Sequence, residues 1–260
     1  MLFRSLRIGP AKRESGREEL IVKTYDTKEE WQDAKRTVRI LDHLNQKGFD
    51  RGSYRAPKSL DQDPENLVLI EQAVHGRTLF DVMTEEDEKN GEKYLRLAGG
   101  WLAAYHNLEL KITPPEDFLE IEPKRLNWYI KDIFRKKHKS RERIREILES
   151  VLQAERELYQ ENHESLIQGH GDFHPKNIFI GYDNPKNPDS VYAAVIDFNS
   201  SFQLPRAFDV GTFLAQYNNQ FQHKPDLLKK FPEEIFLDAY MKDATELDDD
   251  FGTQVDLFRA

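Results

Sequence analysis

The stretch GHGDFHPKNIFIG, residues 169–181, decides how the rest of the chain is read. It sets His170, Asp172, His174 and Asn177 in front of a β-prone run. A turn-rich segment, residues 182–188, separates that run from a second one, residues 191–196, which leads into Asp197. Two β-prone runs joined by Asn, Asp and Pro predict a hairpin with a long loop. Its ends then carry Asp172, His174, Asn177 and Asp197. Two carboxylates and an amide make a hard, oxygen-rich site of the kind that suits Mg²⁺, which takes few protein ligands besides water and phosphate oxygens. A carboxylate outside the metal shell can orient or deprotonate a hydroxyl nucleophile. A His/His/Asp site for Zn²⁺ is the competing metal reading, but Gly171 and Pro175 argue against a helix carrying both histidines. The bland alternative is a polar turn whose Asp and His satisfy backbone amides. Asn177 and the strand-borne Asp197 argue against it.

Working outward, the first ninety residues mix strand and helix signals. Residues 19–25 alternate, with Leu20 and Val22 on one face and Ile21 and Lys23 on the other. Asp26-Thr27 offers an N-cap to a helix carrying Trp31, Val38, Leu41 and Leu44, with Gly48 as its stop. Residues 66–70 predict a second strand, broken by residues 71–76. From about Thr78 the pattern turns helical, and Leu95, Ala98, Leu102 and Tyr105 recur at spacings of three and four. Residues 124–165 keep a helical period through Leu126, Ile130, Ile133, Ile144, Leu148, Val151 and Leu158. Inside them Arg135 to Arg145 carries seven cations in eleven positions, read first as a solvated helix face and second as a docking patch for an anion. Beyond Val210 the chain is helical, with Phe213, Leu214, Tyr217, Phe236, Tyr240 and Phe258 as expected core. A mixed first part, a helical second part and a polar hairpin between them outline an α+β protein of two lobes.

Composition narrows the function. A length of 260 residues suits one large domain or two lobes sharing a cleft. The formal charge of −9 disfavours nucleic acid and anionic membrane as partners. Zero cysteines exclude disulfide scaffolds, thiolate metal sites and cysteine nucleophiles. The N-terminus lacks the apolar core of a signal peptide, and no stretch approaches a membrane span. The expected location is cytoplasmic.

His170-Gly-Asp-Phe-His-Pro-Lys-Asn177, then Val195-Ile-Asp-Phe198, then Phe208-Asp-Val-Gly211 resembles the aminoglycoside phosphotransferase and choline-kinase-like branch of the protein-kinase fold. Asn177 follows Asp172 by five residues, Asp197 comes twenty later, and Asp209 twelve beyond that. Lys23, the break at residues 71–76 and residues 101–107 fall in order. The resemblance implies a two-lobed protein-kinase-like fold, with a small antiparallel-sheet lobe over residues 1–74 and a larger, mainly helical lobe over residues 75–260. It implies an ATP- and Mg²⁺-dependent phosphotransferase acting on the hydroxyl of a small molecule, of aminoglycoside- or choline-kinase type. Asp172 would accept or orient the proton of the attacking hydroxyl, while Asn177 and Asp197 would hold Mg²⁺. Lys23 would reach the α- and β-phosphates. Glu71 and Ala73 would offer a backbone carbonyl and amide to adenine, their side chains mattering little. His170 and Asp209 would brace the catalytic loop, and His174 would contact substrate or support the loop.

Departures from the family pattern support a runner-up, a kinase-like binding or regulatory module with weak or no transfer. Thr37 stands where the family's helix glutamate pairs with the lysine, with Asp33 or Glu30 as substitutes. Asn199 replaces a glycine frequent after the metal-binding Asp-Phe. Twenty-two residues precede Lys23 and contain no G-x-G-x-x-G. A strand from Met1, a turn over Gly9–Gly16 and the Lys23 strand would leave the small sheet with fewer than five strands and an open edge on which another chain could pair. The C-terminal residues 254–260 are expected to begin a ragged amphipathic helix. A metal-dependent phosphoesterase, a third class, lacks the further His and Asn motifs it needs. The acidic run Glu246-Leu-Asp-Asp-Asp250 is read as a solvated turn, and alternatively as an attractor for an amine-bearing substrate.

Overall fold

The computed structural model describes residues 4–8, 19–85, 90–115, 117–135 and 139–259. Strands β1 (Arg4–Ile8) and β2 (Leu20–Thr24) pair antiparallel. The turn expected over Gly9–Gly16, residues 1–3 and residues 136–138 of the basic run lie outside the described residues. Helix α1 (Lys28–Gln46) starts where the cap was expected: the Thr27 hydroxyl accepts the Glu30 N–H at 3.2 Å, satisfying a donor that has no partner within the helix. Past its end Gly48 takes φ +97°, a left-handed turn that glycine adopts without steric cost. Strands β3 (Tyr54–Arg55), β4 (Ser59–Asp63), β5 (Val68–Gln72) and β6 (Arg77–Thr78) follow.

The first sheet has four strands among the described residues, all antiparallel, in the order β1-β2-β5-β4. Strand β5 runs through Gln72, two residues past the expected end at Ile70, because Glu71 has ladder partners on both sides, Ile21 and Ser59. The inner face packs Leu69 with Tyr25 and with Trp31 and Ala34 of α1. Tyr25 and Trp31 meet edge to face at 5.8 Å, a favourable aromatic geometry.

The larger part holds α2 (Leu79–Glu85), α3 (Gly91–His106), α4 (Asp117–Arg135), α5 (Arg141–Tyr159), β7 (Ile167–Gln168), β8 (Ile178–Tyr182), β9 (Val191–Val195), β10 (Gln203–Leu204), α6 (Arg206–Phe221), α7 (Pro225–Lys230), α8 (Glu234–Asp243) and α9 (Phe251–Arg259). The apolar stripe read on α3 is its buried face, with Leu95, Ala98, Leu102 and Tyr105 all inside. Trp101 stands among them, stacked on Phe173 at 5.8 Å and edge-on to Phe49 at 5.5 Å. Its indole N–H donates to the Arg55 carbonyl at 2.8 Å.

The expected hairpin is β8 and β9, antiparallel from Ile178↔Val195 to Tyr182↔Val191. The sequence reading gave no hint that two short strands extend it. β6 pairs antiparallel with β8, and β3 pairs parallel with β9, giving the order β3-β9-β8-β6. Tyr54 and Arg55, on the near side of the expected lobe boundary at 74, thus complete a sheet on its far side. Helix α9 also differs from expectation. It begins at Phe251, three residues before Gln254, and buries Phe251, Gln254 and Val255. The acidic run leads into it: the Phe251 N–H donates to the Asp248 carbonyl at 3.0 Å, and the Gln254 amide donates to the Asp250 carboxylate at 2.8 Å.

The described part of the basic run is an exposed helix face. Arg141 and Arg145 both pair with Glu142, and Arg143 pairs with Glu146. Surface pairs of this kind contribute about 0–1 kcal/mol. Replacing the three arginines with Gln is expected to shift the urea midpoint only within the error of measurement; a clear loss of stability would show that the face packs against something.

Candidate active site

The loop of residues 169–177 lies between β7 and β8 and is fastened from beneath by α6. Asp209, fully buried, accepts the N–H of His170 at 2.6 Å and of Gly171 at 2.8 Å, and its Oδ2 lies 3.1 Å from His106 Nε2. Burial pushes the Asp209 carboxyl up, but the hydrogen bonds from the His106 ring and the His170 backbone N–H hold it below the ordinary carboxylate range. Burial drives His106 the other way, toward the neutral ring. A neutral His106 donating from Nε2, with Nδ1 facing the Tyr240 hydroxyl at 2.9 Å, satisfies every partner. The His170 ring spans the site: Nδ1 accepts the Asp172 N–H at 3.3 Å, and Nε2 donates to the Ile196 carbonyl at 3.0 Å. One imidazole therefore sets the spacing between the loop and the strand end that carries Asp197.

Gly171 sits at φ +77°, and a Cβ there would lie 2.1 Å from the Ser200 carbonyl oxygen, so no side chain fits. Its own carbonyl accepts from Arg125 Nη1 of α4 at 2.6 Å. Asp209 and Arg125 thus grip the same residue from opposite ends, one position before Asp172. Arg125 is held in turn by Glu122, 2.9 Å from its Nε, and lies over the Phe208 ring at 4.6 Å. Nothing in the sequence singled Arg125 out, because one arginine in a charged helix looks solvated; the only signal was its i,i+3 spacing from Glu122.

Next to this pair Glu155 of α5 is buried, with one carboxylate oxygen lacking a hydrogen-bond partner. Burial first, and then the neighbouring Glu122, push its pKa up to about 8, against Arg125 and Arg156. The folded chain therefore holds a proton that the unfolded chain releases in the ordinary carboxylate range. Stability should fall as pH rises from that range to about 8 and level off above it. Urea midpoints measured across this window check it, and Glu155→Gln is expected to flatten the slope.

Asp172 keeps 40% of its side chain exposed. Asn177 Nδ2 donates to its carbonyl at 3.0 Å and to its carboxylate at 3.3 Å. His174 Nε2 lies 3.6 Å from Asp172 Oδ2, while His174 Nδ1 accepts the Lys176 N–H at 3.2 Å, so this histidine braces both the loop and its carboxylate. Burial raises the Asp172 pKa, but the His174 hydrogen bond, with the Arg125 cation behind the loop, brings it below the ordinary range. The group is ionised at neutral pH and able to accept a proton. Across the hairpin Asp197 adopts φ +69°, ψ +64°, a left-handed conformation that costs a non-glycine residue about 1–3 kcal/mol. Asn199 Nδ2 donates to Asp197 Oδ1 at 2.7 Å. Asn199 Oδ1 in turn accepts from the Thr37 hydroxyl at 3.2 Å and faces the Tyr25 hydroxyl at 3.5 Å.

Lys23 is buried, and its ammonium lies 2.9 Å from Glu71 Oε1. This corrects two expectations. The partner of the lysine is on strand β5, one diagonal step across the ladder from Leu69, which faces Lys23. It is not on α1: Asp33 pairs with Arg36 at 3.0 Å, Glu30 accepts the Asp26 N–H at 3.0 Å, and Thr37 serves Asn199. The side chain of Glu71, expected to matter little, is thus one of the buried charges of the site. Ala73 also differs from its expected role, because its N–H donates to the Glu19 carbonyl at 2.8 Å as the sheet ladder runs on.

The donors facing the hairpin are carboxylate and amide oxygens. Among the described residues no group of three or more His, Cys, Asp or Glu converges on a point. The set suits a hard cation that keeps water or phosphate oxygens in its shell better than a closed Zn²⁺ site. Among the same residues, no helix is long and apolar enough to cross a membrane.

Solved structures with this fold include the amicoumacin kinase hAmiN in complex with AMP-PNP, Ca²⁺ and Ami, at TM-score 0.64, 15% identity, and coverage of 98% of this chain and 77% of that one. The GDP and kanamycin complex of APH(2")-IIia aligns at TM-score 0.57 and 16% identity, over 98% of this chain and 82% of that one. The Plasmodium vivax ethanolamine kinase aligns at 0.56 and 16%, over 98% and 72%. At these identities the likeness establishes the two-lobed kinase-like α+β fold. No curated protein matches the chain in sequence. The profile of the phosphotransferase enzyme family (APH) matches residues 11–244. With nearly its whole length matched and its loop, hairpin and sheet arranged as described, the chain belongs to the phosphotransferase enzyme family.

Proposed function

We propose that this protein is an ATP- and Mg²⁺-dependent phosphotransferase acting on the hydroxyl of a small molecule, with residues 1–74 and 75–260 as the two lobes that enclose the nucleotide. The observation carrying the reading is the His170 bridge, which joins the loop bearing Asp172 and Asn177 to the strand end bearing Asp197. Phosphoryl transfer asks a protein for positioning and charge neutralisation more than for covalent chemistry. Asp172, ionised and partly exposed, orients the acceptor hydroxyl and takes its proton. Asn177 and Asp197 supply the oxygens for Mg²⁺, which when bound neutralises charge on the nucleotide phosphates. Lys23, held in place by Glu71, addresses the α- and β-phosphates. The nucleotides held by two structures of this fold, AMP-PNP in the amicoumacin kinase and GDP in APH(2")-IIia, support a nucleotide site in this reading.

A second reading, a kinase-like module that binds without transferring, draws on Ala73, whose N–H is already engaged by Glu19. Thermal unfolding with ATP, with and without Mg²⁺, tests the nucleotide site; saturation at a hundred times the dissociation constant adds about 2.7 kcal/mol. Mg²⁺-dependent stabilisation with ADP release in the presence of an acceptor is the expected result. Stabilisation without release would favour the module, and no stabilisation would refute both.

A further inference from the structure

A cavity of about 530 Å³ opens between α1, α4 and the segment after Asp197. That is within the size range of small-molecule sites. Two of its lining residues already belong to the site. Arg125 holds the carbonyl of Gly171, the residue before Asp172, and Asn199 holds the carboxylate of Asp197. A molecule seated here therefore touches the partners of both aspartates.

The wall is cationic. Arg36, Lys124 and Arg125 line it; Arg36 is engaged by Asp33 at 3.0 Å and Arg125 by Glu122 at 2.9 Å, so Lys124 carries the surplus charge. The Arg36 Nε is buried without a hydrogen-bond partner, a donor left over after Arg36 has bonded Asp33 and the Asn199 carbonyl. Lys124 is exposed and has no ion-pair partner among the described residues. The rim carries Trp128 with 62% of its surface exposed, and Ile121 and Phe202 add apolar wall. Surplus positive charge beside an aromatic face suits an anion that has a flat or apolar side. An amine-bearing compound would meet like charge.

We propose that this cavity is the acceptor site, and that the acceptor is a small hydroxylated anion, a carboxylate or a phosphate ester, with one apolar or planar face. The proposal rests on the phosphotransferase reading. The acceptor oxygen forms a bond to the γ-phosphorus as the bond from that phosphorus to the ADP oxygen breaks. The hydroxyl proton passes to Asp172 and then to solvent, so that ATP and the alcohol give ADP, the phosphate monoester and one proton.

The test sets gluconate and 4-hydroxybenzoate against glucosamine, which shares a six-carbon skeleton with gluconate and carries the opposite charge, and against kanamycin. Binding is read by calorimetry on the Mg-ADP-loaded full chain, and turnover by ADP release with Mg-ATP. At least one anion is expected to bind tenfold or more tightly than either amine. Lys124→Glu should weaken that anion at least tenfold and Lys124→Gln less, both being exposed substitutions that leave the fold alone. Trp128→Ala should weaken 4-hydroxybenzoate more than gluconate. The proposal is overturned if an amine binds as well as the better anion, if neither anion binds, or if Lys124→Glu leaves anion affinity unchanged. The Mg²⁺-dependent thermal shift of the wild-type chain with ATP separates the two failures: its presence with no preference for anions sinks this inference alone, and its absence sinks the phosphotransferase reading beneath it.

Discussion

Asp172→Asn is expected to lower phosphotransfer by about 10²–10⁴-fold, the usual range for loss of a positioned general base, while the Mg²⁺-dependent stabilisation by ATP persists. Asp197→Ala should instead abolish that stabilisation. The two carboxylates stand in different surroundings. Asp172 is brought below the ordinary range by the His174 hydrogen bond and the Arg125 cation against its burial, and it keeps a solvent-facing side from which a hydroxyl can approach. Asp197 sits at the end of β9 in a left-handed conformation, its Oδ1 steadied by Asn199. Nucleotide stabilisation by differential scanning, together with single-turnover ADP release, distinguishes the roles. Two variants that bound ATP and turned over alike would contradict the assignment.

Lys23→Met carries the largest expected cost in stability, about 3–5 kcal/mol, because it leaves Glu71 buried with its countercharge gone. Both side chains are almost closed to solvent, at 7% and 4% exposure. Water cannot take over the lost partner without opening the interface between the sheet and α1. The double variant Lys23→Met/Glu71→Leu removes both charges and should recover most of the loss, since a buried ion pair is often no better than an apolar pair of similar volume. Urea denaturation of the two single variants and the double one forms the cycle. If the double variant lost as much as the singles combined, the buried charge would not be the cause.

What was legible in the sequence was what is local. The loop residues 170–177 and the spacings to Asp197 and Asp209 lie within forty residues and carry their own turn signals, so their convergence followed from a single hairpin. Helix α1 was legible for the same reason: a Thr27 cap, an apolar period and a Gly48 stop are all written along one segment. Strand β4 was not, because Ser59-Leu-Asp-Gln-Asp63 is an edge strand, mostly exposed and without apolar alternation. The Glu71 partnership also escaped, since it depends on the β2–β5 register. That Thr37 faces Asn199 follows only from how α1 packs against the segment after β9.

Strand β3 has a consequence for how the chain is made. Tyr54 pairs with Ala193 and Arg55 with Ala194, the Ala193 N–H donates to the Ser53 carbonyl, and Arg55 also meets Asp183 through two hydrogen bonds. As the chain leaves the ribosome, β2, α1, β4 and β5 can assemble as soon as residue 72 has emerged. Tyr54 and Arg55, in the middle of that stretch, must wait for a strand some two hundred residues from the start before they have anywhere to go. Contacts so distant in sequence slow folding, because the intervening chain must be ordered before they reward it. The stretch around Tyr54 is therefore finished long after its neighbours in sequence, and a chain cut between β5 and β6 would yield two pieces, each lacking one side of the same ladder.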